Sequence, residues 1–148
     1  MSIVGLEKLD VWRKSKDFAL RIYLEVIPLL PPTEKFVMIP QIKRSAQSIP
    51  ANIAEGHGRF YYQENVHFCY IARGSLEETM SYIAFAHDLE YLPNDVYQKI
   101  SLAGDDLTRV INGYIAYLKK ARLGQNEPGN FSVHEPQPDY LTDPLPDE

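Results

Sequence analysis

The chain of 148 residues is 45% apolar and 24% charged, close to globular averages, which excludes whole-chain disorder and a fibrous build, and its length suits one core rather than two. Its formal charge of −5 is uneven: all 15 Lys and Arg fall at or before Arg122 beside 14 acids, a body of +1, while the six remaining acids follow with no base. A nearly neutral body supplies no whole-domain field for nucleic acid, so any such binding has to come from a local patch.

The N-terminal stretch MSIVGLEKLDVW places Glu7 and Asp10 where a signal peptide needs an unbroken apolar run, and no later segment has 18 consecutive apolar residues. Helical periodicity then begins with Leu9, Trp12, Ala19, Ile22, Val26 and Leu30 on one face, and Pro28, Pro31 and Pro32 close it, predicting a first helix from about Leu6 to Leu29. In the second segment Ile39, Ile42, Ala46, Ile49 and Ile53 alternate three and four apart, a coiled-coil-like seam. Pro40 suits its first turn, Pro50 predicts a kink where the carbonyl near Ala46 loses its donor, and Gly56 and Gly58 predict a left-handed stop.

The third segment, about Gln63 to Tyr91, carries two seams: Phe68, Ala72, Ser75, Thr79, Tyr82, Ala86 and Leu89, and beside it Ile71, Gly74, Glu78 and Phe85. So much uncharged surface predicts a helix covered on more than one side, with Ala72, Gly74 and Ser75 permitting close contact. Its Cys69 is the single cysteine of the chain, which excludes an intramolecular disulfide and a Cys-rich zinc framework and favours a reducing compartment. A cytoplasmic protein with no membrane segment is the expectation. Pro93, Asn94 and Asp95 open a fourth helix with Val96, Ile100, Ala103, Leu107, Val110, Tyr114, Tyr117 and Ala121 on its face, Lys119, Lys120 and Arg122 in its last turn, and Gly124 as terminator.

From Gln125 the composition turns to proline, acids and amides without a periodic face, so residues 123–148 are expected as an extended or disordered tail after a bundle over 1–122. Phe131, Val133, Tyr140 and Leu141 are its anchors if it is ordered. Four long amphipathic segments with short connections and no strand pattern predict an all-α, antiparallel up-down-up-down four-helix bundle.

The blocks RSAQSIPANIAEGHGR (Arg44 to Arg59) and FCYIARGSLEET (Phe68 to Thr79), with the earlier LDVWRKSKDFALRIY, resemble the bacterial four-helix-bundle proteins encoded in 23S ribosomal RNA intervening sequences. The resemblance covers about the first 122 residues and implies an up-and-down subunit that assembles into a ring-like homopentamer without established enzymatic activity. A related branch, the accessory variability determinant of diversity-generating retroelements, binds its reverse transcriptase and nucleic acid; it is strongly basic, whereas this body is +1.

Polar residues beside the apolar seams predict an interhelical network of Asn52, Glu55, Arg73, Ser75 and Glu78, in which Arg73 pairs with carboxylates and fixes how helices two and three register. Lys43, Arg44, Arg59, Tyr61 and Tyr62 combine charge with stacking surface and form the candidate nucleic-acid patch, against the alternative that Arg44 pairs with nearby acids and the tyrosines pack at a subunit boundary. Glu64 and His67, with Glu78 on the same side, have a Glu-x-x-His spacing known from metal-binding bundles, but no second such pair exists, since Ala84 occupies the required position before His87. His57, Cys69 and Glu55 lack a feature that would activate the thiol, and Gly56-His57-Gly58-Arg59 closes a helix where a phosphate loop would open one. The reading is therefore a non-enzymatic oligomeric interaction protein with no cofactor and no metal, its partner a protein or RNA; a nucleic-acid- or reverse-transcriptase-binding factor is the alternative, and a metal-binding bundle comes last.

Overall fold

Among the residues that the computed structural model describes, 3–122, there are five α-helices and no strand. The expected tail lies outside them.

The first helix is not one piece. A short α1 (Ile3–Glu7) and α2 (Asp10–Arg21) replace it, separated at Leu9, whose extended backbone (φ −86°, ψ 109°) breaks the helix. Arg13 holds the break by donating to the Glu7 carbonyl at 2.8 Å and to Asp10 at 3.0 Å. Beyond Arg21 the chain widens into a π turn (Ile22–Val26) and tightens into a 3₁₀ turn (Ile27–Leu29). Pro28 has no N–H to offer the Leu24 carbonyl, and the widened turn directly before it lets the Ile27 N–H bond to Ile22 instead.

Helix α3 (Met38–His57) carries Pro40 in its first turn as expected and runs on through Pro50. The left-handed stop is corrected: Gly58 caps the helix in the right-handed region at φ −74°, and Gly56 is a buried residue of its last turn. A Cβ on Gly56 would lie 2.7 Å from Asn65 Oδ1 and 2.9 Å from Phe68 Cβ, so this glycine is there for close approach of the next helix. That helix is α4 (Tyr62–Asp88), followed by α5 (Asn94–Ala121). Arg122, at φ 50°, takes the left-handed position after α5, ahead of Gly124, which lies outside the described residues.

Each long helix packs on the next and α2 also meets α5, which closes the arrangement around one core. The α3 seam is buried at Ile42, Ala46, Ile49 and Ile53. On α4 the inner face is Val66, Cys69, Ala72, Leu76, Thr79, Ile83 and Ala86, so three of the seven positions of the first expected seam are correct and its large apolar core residues were missed. On α5 the inner face is Ile100, Gly104, Leu107, Ile111, Ile115 and Leu118; Tyr117 and Ala121 lie outside. Contacts set the register: Ser45 meets Thr79 and Ser48 meets Ser75 across α3 and α4, while Asn65 meets Tyr114 and Gly104 abuts Met80 across α4 and α5. Glu34 ties the ends together, accepting the Met38 N–H at the start of α3 (3.2 Å) and the Tyr91 hydroxyl from the α4–α5 turn (3.3 Å).

Candidate functional site

The small polar residues of α3 and α4 form a continuous ladder. Asn52 Nδ2 donates to both the carbonyl and the hydroxyl of Ser48 at 2.8 Å, and the Ser75 hydroxyl reaches Ser48 Oγ at 3.0 Å. One turn further on, the Thr79 hydroxyl lies 2.8 Å from Ser45 Oγ and from the Ser75 carbonyl, and Ser45 donates to the Ile42 carbonyl. Ser45 and Thr79 are fully buried, so these bonds replace lost water and penalise any other register. Arg44 pairs with Glu78 at the flank, and the neighbouring carboxylate raises the pKa of its guanidinium.

Of the five network residues expected, Ser75 and Glu78 thus join α3 to α4, while Asn52 bonds to Ser48 within α3. Glu55 instead pairs within α3's end with Arg59 at 2.6 Å, and Arg73 Nη1 donates to Asn112 on α5 at 2.8 Å. A second polar knot had no place in the sequence reading. Buried Asn65 lies under Gly56, donates to the Tyr114 hydroxyl at 3.3 Å and accepts from the Cys69 thiol at 3.7 Å. The i, i+4 spacing of Asn65 and Cys69 opposite a glycine was the available signal.

The nucleic-acid candidates fall into two groups. Lys43 and Arg44 lie early on α3, whereas Arg59, Tyr61 and Tyr62 follow its end, roughly 20 Å away at 1.5 Å per helical residue. Lys43 covers the Tyr23 ring, Arg44 pairs with Glu78, and Arg59 pairs with Glu55 while covering Phe68. Tyr61 is edge-on to Phe60, and Tyr62 packs against the core.

Cys69 is fully buried, and burial pushes its thiol pKa up to about 12, the opposite of what a nucleophile needs. No group of three His, Cys, Asp or Glu among the described residues is placed to hold a metal ion. Glu78 is roughly 16 Å along α4 from His67, too far to share one ion with Glu64 and His67. Among the described residues no helix is long and apolar enough to cross a membrane.

What the outer surface does present is large apolar side chains. Ile71 and Phe85 (58% exposed) stand on one stripe of α4, Leu102 (65%) and Tyr117 (60%) on α5, Leu20 on α2 and Leu24 (73%) in the π turn that follows it. The second α4 seam, expected to be covered, is open within one subunit at Ile71, Gly74 and Phe85.

Comparison with known proteins places these features in context. The family model described as 23S rRNA-intervening sequence protein matches residues 7–113. A solved structure from Bacteroides thetaiotaomicron VPI-5482, described as a protein with unknown function from the S23 ribosomal protein family, is 28% identical with a TM-score of 0.65, the match covering 71% of this chain and 97% of that one. No curated protein matches.

Proposed function

The chain belongs to the family of 23S rRNA-intervening sequence proteins, and from this and the geometry above we propose a non-enzymatic interaction protein whose working form is a homo-oligomer, a ring-like pentamer. The subunit is an antiparallel up-down-up-down four-helix bundle over residues 1–122, and the rim of the ring receives a protein or RNA partner in the cytoplasm. The observation that carries this reading is the uncovered α4 stripe of Ile71, Gly74 and Phe85; Leu102 and Tyr117 are exposed on α5 as well. Apolar side chains in a stripe mark association surfaces, whereas single exposed ones do not. The small Gly74 permits a neighbouring helix to come close, and the polar ladder between α3 and α4 keeps the stripe's own helix in fixed register.

Replacing Ile71 and Phe85 together with Glu tests the surface. Both side chains are exposed, so the subunit keeps its helical circular dichroism while the sedimenting mass falls toward one chain. Retention of the parent mass would remove α4 from the interface. An RNA-binding accessory role draws less support, because Lys43, Arg44 and Arg59 are each engaged within the subunit and lie in two separate groups.

A further inference from the structure

The ring proposed above cannot be closed by the α4 stripe alone. A surface that pairs with itself stops at two copies, so five subunits around one axis each present two different surfaces that fit one another. A candidate for the second lies between α2 and α5, where a groove of about 520 Å³ opens to solvent. Phe18, Leu107 and Val110 give it an apolar lining, and Lys14, Arg21 and Arg109 stand around it together with Asp17 and Asp106. Leu102, 65% exposed, precedes Asp106 and Arg109 by four and seven residues and so lies on the groove's side of α5.

Shape, charge and height along the bundle match the two surfaces. Exposed Ser81 continues the α4 stripe seven residues after Gly74, whose missing side chain leaves open space. Residues 74–81 make two helical turns, about 10 Å, and so do residues 103–110 in the groove wall. Over residues 74–88, α4 carries Glu77, Glu78 and Asp88 and no Lys or Arg, whereas the groove has three cations to two acids. Those cations pair with acids of their own helices in exposed contacts, which are weak enough to be exchanged. Glu78 already holds Arg44 of α3, so Glu77 is the acid placed to meet them. Because Gly104 abuts Met80 and Asn112 meets Arg73, residues 103–110 stand at the same height as residues 74–81. Cyclic symmetry turns copies about an axis without shifting them along it, so helices aligned with that axis meet at equal height.

We propose that residues 74–81 of one subunit's α4 seat in the α2–α5 groove of a second copy, head to tail, with Glu77 toward Lys14, Arg21 and Arg109 and with Ile71 and Phe85 over the ends of the groove. The apolar lining holds the contact, and the charges choose the partner face. The pairing presupposes the assembly proposed above and names the face that receives its stripe.

Co-expressed full-length Ser81→Cys and Leu102→Cys chains, treated with a flexible bis-maleimide and read on a denaturing gel, test the pairing. Both positions are exposed and Cys69 is fully buried, so the new thiols are the ones that react. The mixture is expected to give a two-chain band about a hundredfold stronger than either variant alone, because groups held at one interface react at millimolar effective concentration against micromolar in free solution. A two-chain band from Ser81→Cys alone would overturn the proposal, since α4 would then face α4. So would the absence of a band from the mixture while the parent protein still has the mass of several chains. A parent protein of single-chain mass would instead end the assembly reading itself, and the pairing with it.

Discussion

At the scale of single residues, the two positions that control packing are Gly56 and Cys69. Gly56→Ala forces a methyl to within 3 Å of Asn65 and Phe68, and the backbone oxygen of Asn65 at 3.0 Å cannot swing away as a side chain could. The expected cost is about 1–3 kcal/mol in urea unfolding, the usual range for overpacking; an unchanged midpoint would mean that α3 and α4 separate without penalty. Cys69 offers a chemical probe of the same region. With its thiol pKa moved from 9.0 to about 12, the folded chain at pH 8 holds roughly a thousandfold less thiolate than a free thiol would. Labelling by a disulfide reagent should therefore be slow and should accelerate sharply in denaturant. Because the folded value is the raised one, this thiol's contribution to stability is complete below pH 9 and declines as pH rises from about 9 toward 12, where the unfolded chain binds fewer protons. Rapid labelling of native protein would contradict the buried placement.

At the scale of elements, the ladder between α3 and α4 couples two hydroxyls that lie 34 residues apart in sequence. Thr79→Val leaves Ser45 without that partner and is expected to destabilise by about 1–2 kcal/mol, whereas Ser45→Ala combined with Thr79→Val should cost less than the two single changes together. Strict additivity in that cycle would show that the bond does not link the helices. The hydrophobic pattern made some elements legible and misled about others. Four of the five expected α3 seam positions, Ile42, Ala46, Ile49 and Ile53, are buried, because they recur on one face at helical spacing, while Ile39 in the first turn is only partly buried. In α4 apolar residues occupy every side, so periodicity alone could not choose between the inner Val66, Leu76 and Ile83 and the outer Ile71 and Phe85. The seam of α5 was followed at a seven-residue repeat, but a straight helix drifts about 20° per heptad; by its last turns the core had moved to Ile115 and Leu118 and left Tyr117 outside. The broken first helix was missed because nothing at Leu9 is a glycine or proline; a side chain–backbone bond from Arg13 holds that break, and no local rule encodes it. Of the candidate site, the hydroxyl ladder was partly legible as small polar residues beside a seam. The partners of Arg73 and Glu55 depend on which neighbouring helix each side chain meets, which only the packing decides.

At the scale of the whole molecule, the subunit leaves apolar side chains of α4 uncovered at Ile71 and Phe85. A contact between uncharged groups is not screened by ions. An assembly formed through this stripe, as proposed, is therefore expected to survive high salt. Light scattering of the full-length protein at micromolar concentration, in low and in high salt, is the most direct test of the proposed assembly. The expected result is one species at five times the 17.0 kDa of a single chain under both conditions; a 17.0 kDa monomer at every concentration would contradict it.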